Sequence, residues 1–171
     1  MARAKVSDFV ADPAGNVVGG NGYDVNVYDA ETTTARTIYL ASSGADTVPQ
    51  PLVANAGQDT TLTVQALPAD TSITVVSTSG FAVGQVIPLS SGANRVEKKI
   101  KTITSGTVLA LDSAVGGAFT YPVGAAVGGE EMTGHWEAWV DDDKNTEAVY
   151  KNTGTSKSAG RVFFNTKSPQ N

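Results

Sequence analysis

Apolar and polar residues alternate along two stretches of the chain, one near each end. In residues 23–28 every second position is tyrosine or valine, and residues 135–140 repeat the same period with Trp136 and Trp139 on opposite faces. A period of two is typical of a β-strand with one buried face. The pattern therefore predicts two half-buried strands, and one of the two tryptophans is expected to contact something outside a single core.

Short β-type runs separated by glycine-containing turns fill the region between these two strands. Their spacing is that of a compact antiparallel barrel or sandwich. The chain is therefore predicted to be all-β: a small antiparallel β-sandwich made of residues 1–58 and 130–171, interrupted by an inserted β domain at residues 59–129, the cassette. Charges along the fourth run favour an exposed or edge position for it. The five runs are residues 61–64, 73–76, 86–89, 95–103 and 107–111.

The composition agrees with strands and excludes several kinds of function. The 171 residues include 21 valines but 7 leucines, a balance that favours strands over helices. The absence of cysteine excludes disulfides, thiolate metal sites and thiol catalysis. The net charge of −5 is spread without a basic stripe, so nucleic acid is not an expected partner. We expect neither a cleaved signal peptide nor membrane insertion, because no uninterrupted apolar stretch is long enough.

No group of residues has the pattern of an active site. His135 is the only histidine, and no glycine-flanked serine accompanies it as a nucleophile. Glu130 and Glu131 are adjacent, so on a strand they would point to opposite faces and would not form an acid–base pair. The sequence predicts a protein that is not an enzyme, with no catalytic residues and no cofactor. A protonation switch at His135 is the alternative role for this residue.

Three oxygen donors at alternate positions, Asp141, Asp143 and Asn145, match the first ligands of a calcium-binding loop. The match ends there, because Thr146 stands where the loop needs glycine and Asn152 where it needs a bidentate acid. A solvated hairpin tip without metal is the preferred interpretation, and calcium binding is the alternative.

Aromatic side chains on strand-like segments are candidates for contacts with another molecule. A stacking platform for sugars would need several of them on one face, and tryptophan and tyrosine are equally enriched at protein interfaces. A protein interface is favoured, and a glycan platform of Tyr28, Tyr39, Trp139 and Tyr150 is the alternative. The predicted docking residues are Tyr28, Trp136 or Trp139, Phe163 and Phe164.

Several short motifs carry a resemblance to a known family. Outside the cassette they are DPAGNVV at residues 12–18, YDVNVY at 23–28, TIYL at 37–40, NAG at 55–57 and GHWEAWV at 134–140. With these motifs the two outer segments resemble phage virion modules of the transthyretin-like or immunoglobulin-like kind. In such modules the aromatic strand follows the asparagine–glycine turn at once, whereas here the cassette intervenes. The cassette resembles another phage-type β module through residues 71–75, 80–87 and 106–113.

The resemblance implies a structural component of a tailed bacteriophage virion, exposed as a decoration, collar or tail protein. The virion is the expected location, and the expected partners are other virion proteins and copies of this chain. Docking on a symmetric platform and pairing of free strand edges would be the mode of action. A carbohydrate-binding module for attachment to a host surface glycan is the alternative function, and a cell-envelope hydrolase is the third class considered.

Overall fold

A computed structural model describes residues 2–10, 23–54, 59–129, 134–152 and 158–167. These residues form three antiparallel sheets and contain no α-helix, which confirms the all-β prediction. In this part of the chain no helix is long and apolar enough to cross a membrane. The strands are β1 (Arg3–Phe9), β2 (Tyr23–Asp29), β3 (Ile38–Tyr39), β4 (Thr47–Val48), β5 (Leu52–Ala54), β6 (Asp59–Thr61), β7 (Ser72–Thr74), β8 (Val86–Ser91), β9 (Asn94–Ser105), β10 (Val108–Leu111), β11 (Ala126–Gly128), β12 (His135–Asp141), β13 (Thr146–Asn152) and β14 (Ser158–Phe164).

Strands from both ends of the chain form two four-stranded sheets, which we call the two-sheet unit. Sheet I has the order β1-β12-β3-β4, and sheet II has the order β14-β13-β2-β5. Both sheets contribute to one apolar core, which includes Trp136 and Ile38 of sheet I and Leu52 of sheet II. In β2 the alternation predicted from the sequence is observed, because Val25 and Val27 are fully buried while their neighbours are half-buried.

The cassette contains the six strands of the third sheet, in the order β6-β11-β8-β9-β10-β7. The two ends of this sheet meet at a bridge between Leu62 and Val75. At the bridge the Thr63 N–H donates to the carbonyl of Thr74 across 2.9 Å. The sheet therefore curls back on itself around its own core, and its first and last strands satisfy part of each other's backbone.

The fourth run was predicted to be exposed or at an edge. The edge position is wrong, because β9 lies inside the sheet between β8 and β10, whereas residues 101–105 of β9 are exposed. Val96 and Ile100 of β9 pack on the core of the cassette. Lys99, on the opposite face, is only 4% exposed because it contacts the two-sheet unit. The charges of β9 thus serve in part to join the two units.

A glycine allows the cassette to approach the two-sheet unit closely. Gly84 has a φ of +83°, and a β-carbon at this position would overlap Cγ1 of Val48 and lie 3.1 Å from Cδ2 of Leu52. The neighbouring Val83 packs against the core of the two-sheet unit. Both the space and the positive φ therefore favour glycine here.

We expect Gly84→Ala to destabilise the protein by about 2–3 kcal/mol, because the methyl group overlaps Val48 and an L-residue is strained at positive φ. Gly124→Ala is the matched control, since Gly124 has a φ of +84° but nothing within 4 Å of its β-carbon position. The control should cost about 1 kcal/mol. Urea denaturation of the three proteins measures both losses, and equal losses would contradict the tight contact with Val48.

Candidate docking surface

The outer face of sheet II brings together two of the predicted docking residues. Tyr28 on β2 and Phe163 on β14 are both cross-strand partners of Glu147 on β13. Directly paired residues share a face of a sheet, so these three side chains form a row on the face opposite the core, which we call the docking row. Phe163 is 61% exposed, whereas Tyr28 is half-buried.

A buried carboxylate occupies the centre of the docking row. Glu147 is 1% exposed, and one of its oxygens accepts a hydrogen bond from Arg161 across 2.9 Å. The other oxygen accepts a bond from the N–H of Glu31 across 3.3 Å. The side chain of Arg161 is 63% exposed, so a fixed guanidinium is part of the surface beside Phe163. Such pairing is needed because an unpaired carboxylate is costly to bury.

An open depression of about 510 Å³ borders the docking row. It is lined by Ala30 and Glu31, by Asn145, and by residues 163–165. Among the described residues that line it, Glu31 is the titratable one, and its N–H donates to Glu147 of the docking row across 3.3 Å. Glu31 and Phe163 thus link the depression to the docking row.

Trp136 and Phe164 face the core of the two-sheet unit. Trp136 is 1% exposed, and its ring makes edge-to-face contacts with Tyr150 and Phe164 at centroid distances of 6.0 and 5.9 Å. Phe164 is half-buried and packs against the same core. Because Trp136 presents no surface to a partner, the prediction that it docks is wrong. The alternation of side chains along a strand places Trp136 and Trp139 on opposite faces of the sheet, but it does not reveal which of the two faces is buried.

Trp139 lies half-buried on the outer face of sheet I, with Lys5 and Tyr39 as its cross-strand partners. The guanidinium carbon of Arg3 lies 3.4 Å from the centroid of the Tyr39 ring. The same guanidinium group pairs with Asp141 at 3.7 Å. A cation thus covers one face of Tyr39, and that face is not open to a sugar ring.

The four aromatic residues considered as a sugar platform do not share a face. Tyr150 is 4% exposed, and its hydroxyl donates to Asp8 across 3.0 Å. Burial, together with the nearby Asp8 carboxylate, raises the pKa of the Tyr150 hydroxyl. Tyr28 belongs to sheet II, whereas Tyr39 and Trp139 belong to sheet I. At most two of the four are neighbours on one surface.

A buried arginine organises the acidic hairpin tip between β12 and β13. Arg36 is 8% exposed, and its guanidinium donates to the carboxylates of Asp143 at 2.7 Å and Asp29 at 3.3 Å. It also donates to the backbone carbonyls of Asp141 and Lys144. The bond from Arg36 lowers the pKa of Asp143. Of the three oxygen donors that matched calcium ligands, the Asp143 carboxylate thus contacts the guanidinium of Arg36, and among the described residues no three acidic or histidine side chains are arranged for a metal.

Ion pairs connect the cassette to the outer face of sheet I. Lys99 on β9, with a side chain 3% exposed, contacts Glu137 on β12 across 2.6 Å. Lys5 on β1 contacts the other oxygen of the same carboxylate across 2.5 Å. Burial by itself would raise the pKa of Glu137, but the hydrogen bonds from Lys5 and Lys99 outweigh it and lower the pKa. This carboxylate therefore stays charged and bridges the two units.

The single histidine of the chain lies at the same junction. Nδ1 of His135 is 3.0 Å from a carboxylate oxygen of Glu97 on β9, and the ring of Phe9 stacks on the imidazole at 4.9 Å. Ser113 lines the same small crevice, but its hydroxyl contacts Lys98 at 3.3 Å. No nucleophile–base pair is therefore formed with His135 by the residues that line this crevice.

The stability contributed by Glu137 is expected to depend on pH. Because its pKa in the folded protein lies below the ordinary value of 4.5, the ion pairs stabilise the protein above pH 4.5 and lose this effect as the pH falls through the lowered pKa. Glu137→Gln should therefore melt below the unsubstituted protein at pH 7, and the difference should shrink below pH 4.5. Thermal melts across this range test the expectation.

Asp46→Asn is a suitable control for this experiment. Asp46 also pairs with the cassette, through Lys101 at 3.9 Å, but its side chain is 71% exposed. Screening by solvent makes such a pair weak, so this variant should melt close to the unsubstituted protein at every pH. A difference between Glu137→Gln and the unsubstituted protein that stays constant with pH would contradict the assigned role of Glu137.

Two of the predicted docking residues, Tyr28 and Phe163, are thus brought together on one surface, while Trp139 lies on another sheet. Sequence reasoning missed Glu147 and Arg161, although a glutamate directly before three consecutive apolar residues of β13 was a signal for a paired charge. Comparison of the chain with protein-family models, with curated proteins and with solved structures gives no match.

Proposed function

We propose that this chain is a structural component of a tailed bacteriophage virion, exposed as a decoration, collar or tail protein, and not an enzyme. One observation carries the proposal: the two-sheet unit has seven-residue strands, β1 and β14, at the ends of its sheets. Long edges of this kind are templates for pairing with another chain. The closed cassette, by contrast, is suited to act as a spacer.

We infer that the two-sheet unit is a sandwich of the transthyretin-like or immunoglobulin-like kind. Two four-stranded antiparallel sheets that share one core support this inference. The resemblance carried by the motifs at residues 23–28 and 134–140 supports it as well. The first motif lies in β2, and the second consists of Gly134 and the first six residues of β12. In such a sandwich the strand edges and outer faces are the parts available to neighbours.

Docking through the outer face of sheet II would use the exposed ring of Phe163, the half-buried ring of Tyr28 and the fixed guanidinium of Arg161. Aromatic residues and arginine are the side chains most enriched at the centres of protein interfaces. The titratable groups at the junction act in this proposal as links between the two units. Lys99 and Glu137 already satisfy each other there, as expected of a structural role.

Mass spectrometry of purified particles from the phage whose genome encodes this chain tests the proposal. The number of copies per particle should be a multiple of the number of symmetry-related positions in one part of the virion. Antibody labelling in the electron microscope should locate the chain on the particle surface. Absence of the chain from purified particles, with the protein found only in the lysate, would overturn the proposal.

A host-attachment module that binds a glycan is the second candidate, and Trp139 is the observation that favours it. Its ring is half-buried on an outer face beside Lys5, as in many sugar-binding surfaces. A glycan array with the purified chain separates the two functions. Binding that is lost in Trp139→Ala would favour attachment, and no binding to any glycan would favour docking alone.

A further inference from the structure

Strand β14 is the outermost strand of sheet II, and across the described part of the chain no strand pairs with its free side. The opposite end of sheet II is β5, which has only three residues. Each long edge carries a charge that is already paired within the chain, Lys5 with Glu137 on β1 and Arg161 with Glu147 on β14. Each also has an exposed aromatic residue, Phe9 at 47% and Phe163 at 61%. Because the ring of Phe9 already stacks on His135, Phe163 is the more available of the two, and β14 is the edge better suited to pairing.

The regular part of β14 is short and well defined. In the pairing with β13, Tyr150 lies opposite Gly160, but the next residue, Lys151, lies opposite Ser158. Residue 159 therefore has no partner on β13 and forms a bulge in β14. A bulge bends a strand and locally interrupts its hydrogen-bond ladder. Residues 160–164, with the sequence GRVFF, are left as a regular edge of five residues.

We propose that two copies of this chain associate by antiparallel pairing of β14 with β14, centred on Val162. In this register Arg161 of one copy lies directly opposite Phe163 of the other, and the twofold symmetry repeats the pair. The sequence around Val162 is thus complementary to itself in the antiparallel direction.

Arg161 is prepared for such a contact. Its guanidinium is bonded to Glu147 at 2.9 Å, and its side chain remains 63% exposed on the same face as Phe163. A planar guanidinium held in place can accept an aromatic ring on its open face with little loss of side-chain freedom. Two such contacts, together with the backbone hydrogen bonds between the strands, would join the two copies of sheet II into one eight-stranded sheet.

This inference deepens the proposed function, since it names the edge and the register by which copies of the chain assemble. Failure of this inference can be distinguished from failure of the proposed function, because the inference concerns the purified chain alone. A chain that is monomeric in solution and present in virions would overturn only the pairing of β14. A chain that dimerises through β14 and is absent from virions would overturn only the virion assignment.

The first test is sedimentation equilibrium of the full-length chain over a range of concentrations. We expect a monomer–dimer equilibrium, and we expect Phe163→Lys to weaken the dimer about tenfold or more, because a lysine would then face Arg161 of the second copy. Val123→Lys is the matched control: Val123 is 64% exposed on the cassette, and the substitution adds the same charge. It should leave the dimer unchanged.

Phe9→Lys tests the other long edge in the same way, since Phe9 is 47% exposed on β1. Circular dichroism and melting curves verify that the variants fold. A monomer at every concentration, a dimer that persists in Phe163→Lys, or a dimer lost in Phe9→Lys but not in Phe163→Lys would each overturn the proposal. A dimer weakened only by Phe163→Lys supports it.

The second test measures the register directly. Because the sequence contains no cysteine, an introduced cysteine is the only thiol that can form a disulfide. Arg161→Cys and Phe163→Cys proteins are oxidised under mild conditions, separately and as a mixture. Directly opposed positions are close enough for a disulfide, whereas diagonal positions are about 7–8 Å apart. We expect the mixture to give more cross-linked dimer than either protein alone. Equal cross-linking in all three samples would overturn the register centred on Val162.

Discussion

Trp136→Ala is expected to lower the free energy of unfolding of the two-sheet unit by about 3–5 kcal/mol, the usual loss for a large aromatic residue in a core. The indole lies between the two sheets and contacts the rings of Tyr150 and Phe164 edge to face. Removing it leaves a cavity that β12, held by β1 and β3 on either side, cannot close by a small shift. Denaturant unfolding followed by circular dichroism measures the loss.

Trp139→Ala is the matched control, because it removes the same side chain from the same strand but from the outer face. It should cost about 1 kcal/mol or less, since the ring is only half-buried. The chain has two tryptophans, so each variant leaves one of them as the sole indole fluorophore. Emission should be blue-shifted in Trp139→Ala and red-shifted in Trp136→Ala. The reverse order of stabilities would show that the two faces of β12 are assigned wrongly.

Arg36→Met is expected to lower the free energy of unfolding by about 3 kcal/mol. The substitution removes the guanidinium and leaves the charged and polar groups that it binds without a hydrogen-bond partner. The side chain of Arg36 is 5% exposed and bonds two carboxylates, of Asp29 and Asp143. Two carbonyls of the hairpin tip would also lose their donor. Methionine fills a similar volume, so the loss would report these bonds more than a cavity. Urea denaturation at neutral pH measures it.

Lys144→Met provides the comparison within the same hairpin. Lys144 also pairs with Asp29, at 3.0 Å, but its side chain is 59% exposed. An exposed pair is weak, so this substitution should cost about 1 kcal/mol or less. If Arg36→Met cost no more than Lys144→Met, the assignment of Arg36 as the residue that organises the hairpin tip would be refuted.

The strands that could be predicted from the sequence are those whose pattern depends on burial of one face. Alternation predicted strands at residues 23–28 and 135–140, and β2 and β12 occupy Tyr23–Asp29 and His135–Asp141. Strand β11 was missed, because residues 113–129 contain glycines and a proline and show no sustained pattern. Its pairing depends on β6 and β8, which are distant in sequence. Tertiary pairing decides such short strands.

The candidate site was harder to predict, because charged residues were treated as solvent-exposed. Lys99 and Glu137 lie on separate strands far apart in the chain, and nothing in their own neighbourhoods indicates that they meet. Arg36 follows a polar run of three threonines at residues 32–34, and nothing in that run indicates that it is the buried partner of the acidic hairpin tip. A sequence reveals which charges exist, but pairing across the chain decides which of them are buried.

The strands by which the chain enters and leaves the cassette are neighbours. Asp59, at the start of β6, pairs with Gly128, at the end of β11. Paired antiparallel residues lie about 5 Å apart, a gap that a tight hairpin turn also spans. The outer segments could therefore carry a different folded module at this point, provided that it replaced the contacts that Val83 and Lys99 make with the two-sheet unit. The same point is a natural graft site for displaying a foreign domain whose two termini are close together.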